Sequence, residues 1–138
     1  MVELRDDVRA FLEEDRFGVL ATVNETGSAQ QTVMWYELRG DLIVMNTKRG
    51  RKKDRNLLRD PRASLCIEDR FRYVTLDGVI ETIDDPAIAQ ADIAALARRY
   101  HSAEEAERMA RDVFAPQERV TLVLRVDRVD VHGFDGEE

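Results

Sequence analysis

The spacing of apolar residues near the start of the chain is that of a helix. Apolar side chains recur at positions i, i+4, i+7 and i+8, so one face of a helix would be apolar and the other polar. The pattern predicts an amphipathic helix that ends before Phe17. The apolar positions are Leu4, Val8, Phe11 and Leu12.

Segments rich in β-branched and aromatic residues follow, and they read as strands. Tight turns at Gly27 and Gly40 join the first three strands, which predicts an antiparallel meander because such turns are too short for crossovers. A bend is expected at Gly78, inside the fifth strand. The pattern therefore predicts a small, mainly β (α+β) antiparallel barrel. Its six strands are expected at 18–23, 28–38, 42–47, 62–68, 73–83 and 119–131.

Short helices interrupt the strands. One is expected at 51–59, where Pro61 follows its end, and another opens at Pro86. Ser102 begins a capping-box motif for a further helix that Pro116 ends. No linker or repeat divides the chain, so residues 1–138 are expected to form a single domain with a frayed tail at 135–138.

Composition narrows the class of protein. The 138 residues carry a net charge of −7. Because a protein this acidic repels phosphate groups, we expect no nucleic-acid partner. No apolar run approaches the length of about 20 residues needed to span a bilayer, and the first residues lack a secretory signal. We therefore expect a soluble, cytoplasmic protein without a membrane partner.

The charge is distributed unevenly. Residues 48–62 hold eight cations and two acids, whereas the rest of the chain holds 13 cations and 26 acids. A positive segment in a negative background indicates a site for an anion or for an acidic surface, although a solvated helix face would have the same composition.

The positive segment begins where a strand runs into a helix, and such a junction can bind phosphate. The start of a helix offers unpaired N–H groups, Thr47 offers a hydroxyl, and Gly50 allows close approach of the backbone. Arg51 can bind a phosphate through its planar guanidinium, and Lys52 or Lys53 can add a point charge. We interpret this junction as a phosphate-binding site.

The sequence offers few residues that could bind a metal or act as a nucleophile. His101 and His132 have no second ligand at metal spacing and are expected on the surface, so no metal site is predicted. Cys66 lies within a strand and is expected to be a small buried apolar residue rather than a nucleophile. An enzyme built on this chain would need a bound cofactor, and no catalytic residue can be named.

The run NTKRGRKKDRNLLRDPRAS at 46–64 resembles the signature of the pyridoxamine 5′-phosphate oxidase-like flavin-binding split barrels. Within that family, KDRNL at 53–57 and RDPRA at 59–63 are more similar to the branch that uses the deazaflavin coenzyme F420. The segment FGVLAT at 17–22 fits the same branch. The resemblance covers residues 11–83 and the last strand, and it implies a Greek-key split β-barrel with short flanking helices.

The resemblance also implies a homodimer with its cofactors in grooves between the subunits. Thr47, Arg51 and Lys53 match positions that hold the cofactor phosphate. Lys52 falls where the flavin oxidases carry another cation, and Asn56 lies on the same helix at a matching position.

The second strand matches the wall that faces the cofactor ring. Gln31, Thr32 and Val33 are its implied contacts, while Trp35 either stacks near the ring or belongs to the core or the subunit interface.

The implied activity is hydride transfer between coenzyme F420 and a small organic substrate. Two alternatives stay open: an FMN-dependent oxidoreductase of the same fold, and a non-catalytic protein that binds a flavin or haem-type ligand. Vitamin B6 oxidation is not expected, because the C-terminal substrate-phosphate motif of the pyridoxamine oxidases has no counterpart here.

Overall fold

The protein is built around one curled antiparallel sheet. A computed structural model describes residues 1–134, so the predicted tail at 135–138 lies outside the described residues. The strand order is β2-β1-β5-β6-β7-β4-β3. The strands are β1 (Gly18–Val23), β2 (Ala29–Met34), β3 (Glu37–Arg39), β4 (Leu42–Lys48), β5 (Arg62–Asp69), β6 (Arg72–Ile83) and β7 (Arg119–His132).

The sheet has seven strands rather than the predicted six, because the second predicted strand breaks at Trp35 and Tyr36. Its first half, β2, pairs with β1, and its second half, β3, pairs with β4 at the opposite edge of the sheet. Both antiparallel pairings of the predicted meander are therefore present, but they lie at opposite edges of the sheet because the middle strand is broken. Since only two residues join the two edge strands, the sheet must curl until its edges approach each other there, which gives a split barrel.

The interior of the barrel is apolar and follows the alternation of strand residues. Leu20, Leu65, Leu76 and Leu122 have no exposed surface and belong to one continuous core. The predicted bend at Gly78 is confirmed: the register of β6 and β7 shifts between Asp77 and Gly78.

Cys66 corrects an expectation. It is half-buried on the outer face of β5, because the alternation that turns Leu65 and Ile67 into the core turns Cys66 outward. His101 and His132 are exposed, as predicted.

Helices cover one end and one side of the sheet. The first buries Val8, Phe11 and Leu12, as the helical spacing predicts. Asp85 accepts hydrogen bonds from the first turn of the third helix, and Ser102 accepts one from Glu105 N–H at the start of the fourth. The helices are α1 (Asp6–Glu13), α2 (Lys52–Arg59), α3 (Pro86–Tyr100) and α4 (Ala103–Met109), and a π-helical turn (Ala110–Phe114) follows α4.

Residues 84–118 form a helical insertion between β6 and β7. Ile93, Leu96 and Ala97 of α3 pack with Ala106 and Phe114 in a small second core. Trp35 packs against this second core, so the insertion lies over the break between β2 and β3. Among residues 1–134, no helix is both long and apolar enough to cross a membrane.

Candidate functional site

A cavity of about 330 Å³ lies between the barrel and the helical insertion. One end is cationic and the other is apolar and aromatic, and no acidic residue lines it. The lining residues are Val33, Met34, Trp35, Asn46, Thr47, Arg51, Lys53, Ile93, Leu96, Met109, Phe114 and Arg119.

The cationic end combines three residues from two elements. Arg51 is the N-cap residue of α2, Lys53 lies in its first turn, and Arg119 begins β7. The register of β4 and β7 places Arg119 opposite Lys48, directly beside the junction that the sequence predicts to bind phosphate. Lys53 and Arg119 are buried, whereas Arg51 is exposed at the mouth.

These cations lack carboxylate partners among the described residues. Burial, together with the charges of Arg51 and Arg119, lowers the pKa of Lys53. Burial and the charge of Arg51 lower the pKa of Arg119 to about 10. Since like charges in a low-dielectric site repel each other, this end of the cavity favours an anion.

Arg49 differs from the three cavity cations because it is paired with carboxylates. Its guanidinium lies 3.2 Å from Asp54 and 2.6 Å from Asp84. The Asp54 carboxylate also accepts the Gly50 N–H at 2.8 Å, so this backbone donor of the predicted phosphate site already has a partner. The anion-binding groups are therefore the side chains of Arg51, Lys53 and Arg119 more than the glycine backbone.

Thr47 supplies a polar atom without a partner. The residue is 3% exposed, and its Oγ1 is buried with no hydrogen bond to any described residue. Buried hydroxyls are normally hydrogen-bonded, so an unpartnered one beside three cations fits a ligand oxygen. The residues present therefore fit a phosphate group.

The apolar end is lined by aromatic rings. Trp35 stacks on Tyr100 with ring centroids 5.4 Å apart, and Tyr100 stacks on Phe17 at 5.3 Å. The Phe114 ring meets Trp35 edge-on at 6.2 Å. Trp35 therefore lines the cavity and also packs against the second core, and its stacking on a cofactor ring stays a prediction.

Of the three ring contacts predicted on the second strand, only Val33 lines this cavity, beside Met34 and Trp35 of the same predicted strand. Val33 is 69% exposed. Gln31 lies on the same outer face of β2, while the Oγ1 of Thr32 is buried without a partner among the described residues. Because β2 is an edge strand, one side of its backbone has no neighbour in the sheet.

Lys52 and Asn56 lie in a different place from the other predicted site residues. They line an open cavity of about 560 Å³ beside the turn between β1 and β2. Asn56 Nδ2 donates to Thr22 Oγ1 at 3.1 Å and to Asn24 Oδ1 at 3.0 Å, so it fastens α2 to that hairpin. The cofactor contacts of Lys52 and Asn56 stay predictions.

Arg119 lines the cavity but belongs to no motif in the sequence. Its one signal in the sequence is its position as the first residue of the last predicted strand, but strand pairing over 70 residues of chain is needed to bring it to the site.

Comparison with known proteins identifies the family. A family model described as pyridoxamine 5′-phosphate oxidase matches residues 4–133. The chain belongs to this family. The resemblance carried by residues 46–64 is thereby confirmed, and so is the split-barrel fold that it implies.

Several solved structures are similar to the chain over most of its length. A conserved hypothetical protein from Mycobacterium tuberculosis is 26% identical with a TM-score of 0.80, over 100% of this chain and 92% of that one. An F420 reductase is 25% identical with a TM-score of 0.73, over 92% and 98%. A heme binding protein from Mycobacterium smegmatis is 26% identical with a TM-score of 0.68, over 99% of this chain and 57% of that one.

Proposed function

We propose that the chain is an oxidoreductase that binds coenzyme F420 in the cavity between barrel and helical insertion and acts on a small organic substrate. The observation that carries the proposal is the cluster of Arg51, Lys53 and Arg119, without a carboxylate among the described residues, around the unpartnered Thr47 hydroxyl. The aromatic end of the same cavity supplies a surface for a flat ring.

The chain's own residues would bind and orient the cofactor. Thr47, Arg51 and Lys53 would hold the phosphate, and Val33 and Trp35 would flank the ring. The helical insertion would keep water from the reacting face, and the fixed orientation would lower the barrier. When bound, coenzyme F420 supplies the exchange of a hydride with the substrate.

The similarity to an F420 reductase supports this choice of cofactor. The charge does so as well, because the tail of coenzyme F420 carries carboxylates in addition to a phosphate, and the cavity gathers three cations.

We propose that the active form is a homodimer. The outer face of β1, β2 and β5 carries Val19, Ala21 and Val33 beside Cys66 and Ser64, without a charge among these five positions. Val33 is shared between this face and the cavity mouth, so a second copy docked here would cover the open side of the site.

FMN is the second candidate cofactor, because its single phosphate fits the same cations. Haem is the third candidate, and the similarity to a heme binding protein favours it. Haem binding without turnover would make the chain a binding protein.

Direct titration decides among these ligands. Trp35 is the only tryptophan, so quenching of its fluorescence reports a ligand in this cavity. We expect coenzyme F420 to bind more tightly than FMN or haem, and reduced coenzyme F420 to be oxidised in the presence of nitro compounds, quinones or enones. Tighter binding of FMN or haem would overturn the choice of cofactor.

Paired variants locate the site. Lys53→Met should weaken binding of coenzyme F420 by about 10- to 100-fold, as expected for loss of a charge-assisted hydrogen bond. Lys48→Met removes an exposed lysine outside the cavity and should change the affinity less than twofold. Equal affinities of the two variants would place the phosphate elsewhere.

A further inference from the structure

The guanidinium of Arg119 is held rigidly at the cationic end of the cavity. Its Nε donates to Asn46 Oδ1 at 2.9 Å, and its Nη1 donates to Gln117 Oε1 at 2.8 Å. The guanidinium carbon lies 5.0 Å from the centre of the Phe114 ring. The third nitrogen, Nη2, has no hydrogen-bond partner among residues 1–134, and because Arg119 lines the cavity this donor is left for a ligand.

Asn46 is itself fixed by buried contacts. Its Nδ2 donates to the carbonyl of Ala89 on α3 at 2.9 Å and lies 3.5 Å from Thr121 Oγ1. These contacts orient the amide so that its oxygen faces Arg119.

Thr121 connects this amide to a buried acid. Its hydroxyl donates to Asp92 Oδ2 at 2.7 Å, and Asp92 Oδ1 accepts from Arg39 at 2.8 Å. Asp92 is the only carboxylate in this series of contacts, and it is paired with Arg39, at the end away from Arg119. Within the part of the chain that the structure describes, no carboxylate is paired with Arg119 at the cavity end.

We propose that Arg119 binds a second negatively charged group of the ligand, next to the phosphate held by Thr47, Arg51 and Lys53, and that Asn46 and Thr121 position its guanidinium. This inference rests on the proposed function, because it assumes that the anionic end of the cofactor occupies this cavity. The ligand class it specifies carries at least two negative charges at one end, such as a phosphodiester beside a carboxylate.

The charge balance of the cavity supports the proposal. One monoanionic phosphodiester leaves two of the three cations unbalanced, and buried like charges destabilise the folded chain. A second anionic group removes most of that repulsion. Arginine is also the cation best suited to a carboxylate, since its planar donors match the two oxygens.

The first test compares two arginines of the same strand by calorimetric titration with coenzyme F420 and with FMN. Arg119→Gln should weaken binding of coenzyme F420 by about 10- to 100-fold. Arg128 is exposed and paired with Asp130, so the affinity of Arg128→Gln for coenzyme F420 should stay within twofold of the wild type. Arg119→Lys should restore part of the affinity, because it keeps the charge and loses the planar donor set.

The second test examines the positioning residues through coupling. Thr121→Val removes the hydroxyl between Asn46 and Asp92 and should weaken binding by about 3- to 10-fold, and Thr121→Ser should restore it. In the Arg119→Gln background, Thr121→Val should have no further effect on affinity, because its contribution passes through Arg119. An equal loss in both backgrounds would overturn the positioning role.

The outcomes separate this inference from the proposed function. If Arg51→Gln and Lys53→Met weaken binding while Arg119→Gln behaves like Arg128→Gln, the role of Arg119 is overturned and the cofactor site stands. If Arg51→Gln and Lys53→Met bind as the wild type does, or the wild type binds neither cofactor, both proposals fail.

Discussion

At the scale of single residues, the buried charge of Lys53 destabilises the folded protein when no ligand is bound. Its ammonium group is buried beside Arg51 and Arg119, and these surroundings lower its pKa. The unfolded chain therefore binds the proton more tightly than the folded chain does. The unfavourable contribution of Lys53 to stability is fully present where Lys53 is charged in both states, and it diminishes as the pH rises towards the ordinary lysine value of 10.5.

We predict that Lys53→Met stabilises the ligand-free protein at pH 7 by about 0.5–2 kcal/mol, although it weakens cofactor binding. Urea unfolding monitored by circular dichroism measures the change. The exposed Lys48→Met serves as the control and should lie within about 0.5 kcal/mol of the wild type. A destabilised Lys53→Met protein would show that Lys53 has a structural partner.

The contribution of Tyr36 to stability changes with pH in the opposite direction to that of Lys53. Burial raises its pKa to about 12, and its hydroxyl donates to the Leu12 carbonyl at 2.9 Å. Between pH 10 and pH 12 the folded chain retains a proton that the unfolded chain loses, so the contribution of Tyr36 to stability falls in that range. Tyr36→Phe should cost about 1 kcal/mol at pH 7, and its difference from the wild type should shrink above pH 10. Unfolding curves at several pH values test this, and a constant difference would contradict it.

The residues of the site divide into those that the sequence predicts and those that only the fold brings together. Thr47, Arg51 and Lys53 are close in sequence, so a local motif suffices to group them. Arg119 reaches the cavity through strand pairing and leaves no local pattern. The sequence leaves two placements open for Trp35, and the break between β2 and β3 brings it to the cavity. Gly50 illustrates the limit of motif reasoning, since Asp54 takes its N–H.

At the scale of elements, α2 depends on one buried amide for its position. Asn56 is 3% exposed, donates to Thr22 and Asn24, and accepts from Arg59. These bonds hold the helix that carries Arg51 and Lys53 against the hairpin of β1 and β2.

We predict that Asn56→Ala lowers the free energy of unfolding by about 1–3 kcal/mol, because buried polar partners lose their bonds. Leu58→Ala, at a site 64% exposed on the same helix, should change it by less than about 0.5 kcal/mol. Thermal unfolding of both variants measures the difference. A titration of Asn56→Ala with coenzyme F420 also tests the predicted cofactor contact of Asn56.

Most helices and strands could be predicted from the sequence, but the break of the second strand at Trp35 and Tyr36 could not. Trp35 and Tyr36 favour strands, so the residue pattern gave no reason to end a strand at Met34. The break follows from tertiary packing, which sends Tyr36 into the barrel core and Trp35 to the second core under the insertion. Local propensity contains no information on that division.

At the scale of the whole molecule, the proposed dimer interface leads to a direct test. Val19 is 37% exposed on the outer face of β1 and pairs with Val33 and Cys66. In a symmetric dimer each copy presents the same patch, so a new charge is introduced twice into one interface. Val19→Lys should raise the dimer dissociation constant by about 100-fold or more.

Sedimentation velocity should therefore find the wild type dimeric and Val19→Lys monomeric at the same concentration. Ile88→Lys places the same charge at a site 44% exposed on α3 and should remain dimeric. A monomeric Ile88→Lys with a dimeric Val19→Lys would move the interface to the helical insertion.

The helical insertion leaves and rejoins the sheet at neighbouring points. Ile83 at the end of β6 is paired with Thr121 near the start of β7, and Arg49 contacts both Asp84 and Glu118. Residues 84–118 thus form a cassette whose exchange would leave every strand pairing intact. Grafting a different cassette would remodel the apolar wall of the cavity while Thr47, Arg51 and Lys53 stay in place. The graft would have to keep Ala89, Asp92, Phe114 and Gln117, because these cassette residues contact Asn46, Thr121 and Arg119.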